Sequence, residues 1–192
     1  MEGERLAEEL RARGALQNGH FRLSSGRHSD RFVQKFRILE DPQIVEPIAR
    51  AIAESVKAFR PTIVVSAAVG GIVLGYETAR ALGTHAIFVE KEGGAPTLRR
   101  GFELGAGDRA LVVEDVITTG QSVREVLEVV RARGAETVAI AAIVRREPQE
   151  FGVPSVALLD LPVASFDPAD CPLCADGISL SEPGSRRLGS EA

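Results

Sequence analysis

An α/β fold with a central, mostly parallel sheet flanked by helices is predicted by three features of the chain. Strand-like and helix-like segments alternate from Pro61 onward, the order that builds a parallel sheet. The strand segments are continuous apolar runs, as strands covered on both faces are. The helical segments between them close on glycines, Gly83 and Gly134. Ahead of this region the sequence reads as a helix and a small N-terminal hood.

The elements follow in order. GERLAEELRARG, residues 3–14, sets Leu6, Ala7 and Leu10 on one face of an amphipathic helix that stops at Gly14. GHFRLSSGRHSDRFVQ, residues 19–34, arranges Phe21, Leu23, Phe32 and Val33 around a Ser-Ser-Gly turn, giving the short strands of a hairpin-like hood. Asp41 caps a helix with Pro42 in its first position, running to about Phe59. PTIVVSAA is then a strand, GIVLGYETARALG a helix and HAIFVEK a strand. EGGAPTLRRGFELGAGD is a long polar loop with room for a short hairpin. RALVVED, GQSVREVLEVVRARG, ETVAIAAIVRR and VPSVALLDL read as strand, helix, strand and strand. The expected organisation is a helix and hood over 1–40, a core over 41–165, and a tail over 166–192 that packs on the core. The stretch SEPGSRRLGSEA at its end has the composition of a disordered terminus.

With 192 residues, 44% apolar and 26% charged, the chain has the balance of a globular protein that buries a core. Its net charge of −4 argues against a general nucleic-acid binder, but not against a local basic site for a phosphate. The longest uncharged run holds 16 residues between Arg60 and Glu77, with Pro61 and three glycines in it. A membrane span needs roughly 20 apolar residues, so a buried strand and its following helix are expected instead. The N-terminus is charged throughout and does not read as a signal peptide, so a cytoplasmic location is expected.

VVEDVITTG, residues 112–120, carries the chemistry. An apolar strand runs into Glu114 and Asp115, and Thr118, Thr119, Gly120, Gln121 and Ser122 follow at the start of a helix. Ligands of open α/β sheets bind at the carboxyl ends of strands. The early N–H groups of a helix lack helical partners and, with small hydroxyls and a glycine, cradle a phosphate. Carboxylates accept hydrogen bonds from vicinal hydroxyls or hold a hard cation. One element thus offers hydroxyl acceptors and, a turn later, a phosphate site, which matches a ribose 5-phosphate. Neither a P-loop lysine nor a GxGxxG is present. Without a ligand the same stretch would be a helix start beside two exposed acids.

These nine residues resemble the phosphoribosyl pyrophosphate (PRPP) motif of the type I phosphoribosyltransferases. HFRLSSGRHSDRF resembles the hood of the orotate phosphoribosyltransferases, with Phe21, Leu23, Ser25, Gly26 and Ser29 on the F-x-L-x-S-G-x-x-S pattern. VRREPQEFGVP resembles that family's orotate-binding segment, and ADCPLCADG the tail of a bacterial subgroup. The resemblance implies the type I phosphoribosyltransferase fold and transfer of phosphoribosyl from PRPP to orotate. It implies Glu114 and Asp115 at the ribose hydroxyls, and Val116, Ile117, Thr118, Thr119, Gly120, Gln121 and Ser122 around the 5-phosphate. Arg146 would bind the orotate carboxylate, as a bidentate fork suits an anion; otherwise it is a surface arginine beside Arg145. Gly70 and Gly71 in SAAVGGIVLG would let the backbone approach pyrophosphate, although an ordinary strand-to-helix turn looks the same. Ser25 and Gly26 would contact substrate from the hood.

The resemblance further implies a homodimer in which a mobile basic loop, EKEGGAPTLRRG, closes over the neighbouring subunit's site. Lys91, Arg99 and Arg100 are its cations and the expected catalytic groups; a solvated charged hairpin is the plain alternative. Mg²⁺ is implied as cofactor, held mainly through PRPP and not by direct protein ligands. Better-known members have lysine at Ser24, arginine at Glu90, aspartate at Arg145, and a lysine-x-histidine pair that 92–98 lacks. Two rivals stay open: another base as acceptor, or a PRPP-sensing regulator. Cys171 and Cys174 in CPLC have the spacing of half a zinc site; no second such pair exists in the sequence, although a dimer could complete four sulfurs across a two-fold axis, and a redox pair or, more plainly, reduced thiols in a turn are the other readings. His20, His28 and His85 are scattered, and the sequence assigns them no role.

Overall fold

The computed structural model describes residues 3–23 and 25–183. Ser24 and the last nine positions of the SEPGSRRLGSEA stretch lie outside the described residues. The core is a six-stranded sheet of β3 (Ile63–Ala67), β4 (His85–Glu92), β5 (Ala95–Leu98), β6 (Arg109–Ile117), β7 (Glu136–Arg145) and β8 (Ser155–Asp160). Its order is β5-β4-β3-β6-β7-β8, parallel throughout except that β5 returns antiparallel on β4.

Helices cover both faces. α1 (Gly3–Ala12), α3 (Pro42–Val56) and α4 (Gly70–Leu82) lie on one, and α5 (Gln121–Ala132) on the other. The strands divide their side chains by parity, as the pleat requires. Val64, Leu111, Val113, Ala139, Ala141 and Ile143 face α1, α3 and α4, whereas Val65, Ala110, Val112, Ile140 and Ala142 face α5. The apolar runs are continuous because both sets are buried. Leu6, Ala7 and Leu10 of α1 are buried, as its periodicity predicts. The Asp41 carboxylate accepts the Gln43 N–H at 2.9 Å, forming the expected cap, and the helix it opens continues as a 3₁₀ turn to Phe59. The single-turn helix α2 (Phe36–Leu39) has no counterpart in the sequence reading, since four residues are too few to show a period.

The hood is a two-stranded antiparallel hairpin, β1 (Leu16–Arg22) and β2 (His28–Val33). The C-terminal segment returns to it. Phe166 pairs with His28 through two backbone hydrogen bonds, 3.0 and 2.8 Å, and Ser181 bridges His20 and Arg22 on the other edge. A short helix α6 (Pro172–Ala175) lies between those contacts. Among the described residues no helix is long and apolar enough to cross a membrane.

Candidate active site

β3, β6 and β7 all end on one rim of the sheet; Gly70, Gly71, Glu114, Asp115, Val116 to Ser122 and Arg146 lie at or just past those ends, whereas Ser25 and Gly26 lie in the hood turn and Arg99 and Arg100 follow β5. On β6 the odd-numbered side continues to Asp115, which is 2% exposed. Its Oδ1 accepts the Val116 N–H at 2.7 Å, and its Oδ2 lies 2.8 Å from the Lys35 ammonium. That approach is an ion pair without hydrogen-bond geometry, so Oδ2 is a buried acceptor with no donor among the described residues. Lys35 is a neighbour of Asp115 that the sequence did not single out. It follows the hood in QKF, in no recognisable pattern, and only the fold brings it to Asp115.

Glu114, 7% exposed, turns its carboxylate back to accept the Asp115 N–H at 3.0 Å. Burial, and then the neighbouring Asp115 charge, push its carboxyl up to about 8. Near neutrality Glu114 is thus held towards its protonated, donor-capable form, beside the Lys35-paired Asp115.

Downstream of β6 the chain enters a left-handed turn at Gly120 (φ 75°) and starts α5. A side chain at Gly120 would also strike Phe151 and the Arg124 guanidinium at 2.8 Å. Among the described residues no protein acceptor takes the N–H groups of Thr119, Gly120, Ser122 or Val123, while Gln121 N–H has only a long contact of 3.4 Å to Thr119 Oγ1. Thr118, Thr119 and Ser122 are exposed beside them. A twelve-residue helix directs its positive end at this spot, an arrangement that favours an anion.

Gly70 and Gly71 begin α4, next to the rim. A Cβ on Gly70 would lie 2.0 Å from Asp115 Oδ2 and 2.6 Å from Lys35 Nζ. A Cβ on Gly71 would press on Ser66 at 3.1 Å, as one on Gly75 would at 2.9 Å. Glycine at 70 therefore makes room for the Lys35–Asp115 pair, and glycine at 71 and 75 seats α4 on β3. The preceding loop, Ala67 to Val69, forms one wall of a cleft of about 390 Å³ whose other walls are Val89 to Lys91 and Pro96 on the β4–β5 hairpin and Ser122, Glu125 and Val126 on α5.

The basic segment 90–101 is ordered as part of that hairpin. Lys91 pairs with Glu125 at 2.8 Å, Arg99 with Glu92 at 3.3 Å, and Arg100 with both oxygens of Glu90 at 2.8 and 3.0 Å. All three cations are largely exposed.

At the end of β7, two adjacent arginines differ in kind. Arg145 is held in a fork by Asp160 at 2.6 and 3.0 Å. Arg146 is half-buried and, among the described residues, has no carboxylate within ion-pair distance and no side-chain hydrogen bond. Burial holds its guanidinium below the usual arginine value, opposed by the Glu147 and Asp30 charges. Asp30 belongs to β2, so Arg146 lies towards the hood, and among the described residues Asp30 Oδ1 is itself buried without a donor. Ser25 and Gly26 form the hairpin turn, where Gly26 takes φ 81° and donates its N–H to Leu23 O at 2.9 Å. Ser29 is fully buried and donates to Ala164 O at 2.8 Å, a structural bond.

Comparison with known proteins points the same way. Residues 36–154 match the phosphoribosyl transferase domain. The orotate phosphoribosyltransferase of Caldanaerobacter subterraneus subsp. tengcongensis is 44% identical over 190 residues, 98% of this chain and 100% of that protein. The enzyme of the same name from Pelotomaculum thermopropionicum is 46% identical over 177 residues, 91% of this chain and 93% of that one. Among solved structures, the orotate phosphoribosyltransferase of Aeropyrum pernix superposes with a TM-score of 0.70 at 29% identity, covering 81% of this chain and 93% of its own.

Proposed function

The chain belongs to the orotate phosphoribosyltransferases, within the phosphoribosyl transferase domain family, and on that premise we propose how its residues carry the reaction. The enzyme transfers the 5-phosphoribosyl group from PRPP to orotate, giving orotidine 5-monophosphate and pyrophosphate, a step of pyrimidine synthesis. The bond from the anomeric carbon to pyrophosphate breaks as an orotate ring nitrogen attacks that carbon. Positive charge grows on the sugar and negative charge on the leaving group.

Asp115 is the ribose anchor. Its Oδ2, buried beside Lys35 and lacking a donor, accepts a sugar hydroxyl and places a carboxylate near the developing cation. Glu114, neutral near pH 7, offers a hydrogen bond to the adjacent hydroxyl. The unpartnered N–H groups at the start of α5, with Thr118, Thr119 and Ser122, hold the 5-phosphate and fix the reacting carbon in place. Pyrophosphate occupies the cleft between Ala67–Val69 and the β4–β5 hairpin, which Lys91 lines, and Lys91, joined by Arg99 and Arg100 from outside that lining, exchanges its glutamate partner for the ligand's oxygens. Surface ion pairs are worth at most about 1 kcal/mol, so this exchange is inexpensive.

The rim also fits a hard cation brought by the substrate. The acidic groups there, Glu114 and Asp115, offer only oxygen atoms, and Mg²⁺ would take its direct ligands mainly from PRPP and water oxygens beside them. When bound with PRPP, Mg²⁺ supplies charge neutralisation on the leaving pyrophosphate. We further propose a cytoplasmic homodimer that shares the basic hairpin between subunits.

The contrast between Arg145 and Arg146 carries the choice of base. One guanidinium is already forked by Asp160, and the other lies half-buried without an anion, facing the hood. Orotate provides that anion. An absorbance assay of orotate consumption with PRPP and Mg²⁺ tests the reading. Arg146→Ala is expected to lower kcat/KM for orotate by roughly 10²-fold or more, as loss of a buried charge partner does. Arg145→Ala should change it by less than about threefold. Normal turnover by Arg146→Ala would remove the carboxylate assignment.

A further inference from the structure

We propose that His20, His28, Cys171 and Cys174 form a structural zinc site that fastens the C-terminal segment to the hood hairpin. The four potential ligand atoms lie within 4.8 Å of one another. His20 Nε2 is 2.9 Å from His28 Nδ1, 3.6 Å from Cys171 Sγ and 3.7 Å from Cys174 Sγ, and Cys174 Sγ is 3.3 Å from His28 Nδ1. Zinc–nitrogen bonds near 2.0 Å and zinc–sulfur bonds near 2.3 Å give a tetrahedron edges of about 3.3–3.8 Å. The cluster is therefore close to the size of a Cys₂His₂ tetrahedron around one ion.

Three independent features prepare it. First, His20 Nδ1 lies 2.7 Å from the Ile178 carbonyl oxygen, which can only accept, so Nδ1 carries the proton and Nε2 presents its lone pair to the cluster. A carbonyl fixing the tautomer of a ligating histidine is the usual outer support of a metal site. Second, the hairpin register slips between Asn18 and Phe21, so that Gly19 and His20 together oppose Asp30. Beyond this bulge Arg22 pairs with His28, which brings His20 and His28 to the same face of the hairpin. Third, backbone bonds at Phe166 and Ser181 clamp the tail to both edges of the hairpin, and CPLC lies between those clamps.

The chemistry selects the ion. Two thiolates and two neutral imidazoles in a tetrahedral set favour zinc and leave no open position, which makes the site structural. On binding, the two thiol protons pass to solvent and the dication meets two thiolate charges, giving a neutral centre. That suits a cluster in which His20, His28 and Cys171 are all buried. The ion would close the base of the turn bearing Ser25 and Gly26. The site does not depend on the identity of the base, because its readout is metal content.

The test uses the full chain, purified without chelator from zinc-supplemented cells and measured by inductively coupled plasma mass spectrometry. About one zinc per chain is expected. Cys174→Ser alters the exposed ligand with least disturbance of packing, and should reduce zinc to a small fraction of a mole and lower the melting temperature. Cobalt(II) added to metal-stripped, reduced wild type should give the intense visible bands of a tetrahedral ion with thiolate charge transfer. A reduced wild-type protein that takes up neither zinc nor tetrahedral cobalt overturns the proposal. So does one whose zinc stays at full occupancy in Cys174→Ser.

Discussion

The end of β6 and the β4–β5 hairpin both border the space assigned to PRPP, yet they are built on opposite principles. At β6 the functional groups are short of protein partners: among the described residues Asp115 Oδ2 has an ion pair but no donor, and the N–H groups of Thr119, Gly120, Ser122 and Val123 have no acceptor. On the hairpin, Lys91, Arg99 and Arg100 are exposed and each already holds a glutamate. The first region keeps its binding capacity because the fold prevents it from being satisfied internally. The second stores its capacity in weak pairs that a stronger anion can replace. Pre-organisation and exchange thus operate on either side of one cleft.

The sharpest way to break this comparison is Asp115→Asn. It keeps the shape but leaves Lys35 as an uncompensated cation beside the site. PRPP turnover, as kcat/KM, should fall roughly 10²–10³-fold in steady-state assays, in line with loss of one member of a buried charge pair. A loss below about tenfold would mean that the β6 end is no more committed to the ligand than the hairpin.

Next in size is the pH dependence at Glu114. Its folded value of about 8 lies above the ordinary 4.5, so folding favours the protonated form. That contribution is complete below pH 4.5 and is lost as pH rises to about 8. Glu114→Gln removes the titration. Its stability relative to wild type should therefore climb between those pH values, by on the order of 2–4 kcal/mol in denaturant titrations. A flat difference would place the Glu114 carboxyl in solvent-like surroundings.

The smallest effects belong to the hairpin. Lys91→Ala and Arg100→Ala should each lower kcat about tenfold, the loss of one charge contact to a leaving group. Their melting temperatures should stay within about 2 °C of wild type, because the pairs they break are exposed. A large drop in melting temperature with unchanged kcat would make these residues structural and reverse the comparison.

Legibility in the sequence follows the range of the interactions. Local patterns were readable: the buried stripe of α1, the Asp41 cap, the doubly buried strands, and the acids and glycine that join β6 to α5 all sit within a few residues of what they act on. The resemblance singles out Arg146, but what distinguishes it from Arg145 in the fold is Asp160, fifteen positions from Arg145 on the neighbouring strand. Lys35 was not readable, since it meets Asp115 only after the hood has folded over the sheet. The cysteine pair looked like half a site because the other half, His20 and His28, stands 151 and 146 positions away. No spacing rule spans that distance; only the return of the tail to the hairpin does. The glycine at 70 suggests backbone approach to a ligand, whereas the nearest atoms a side chain there would meet belong to the protein's own Lys35–Asp115 pair.

The bulge at Gly19 and His20 works as a frameshift inside the hairpin. Exchanging a side chain there leaves the count of residues intact, so every partner beyond it keeps its place. Removing the residue between His20 and Arg22 restores a regular ladder, sets His20 opposite Ser29 and so turns it away from His28, because each strand position changes sides with a step of one. The hood thus tolerates spelling changes at this point far better than changes in length, and its fidelity depends on a number rather than on a letter.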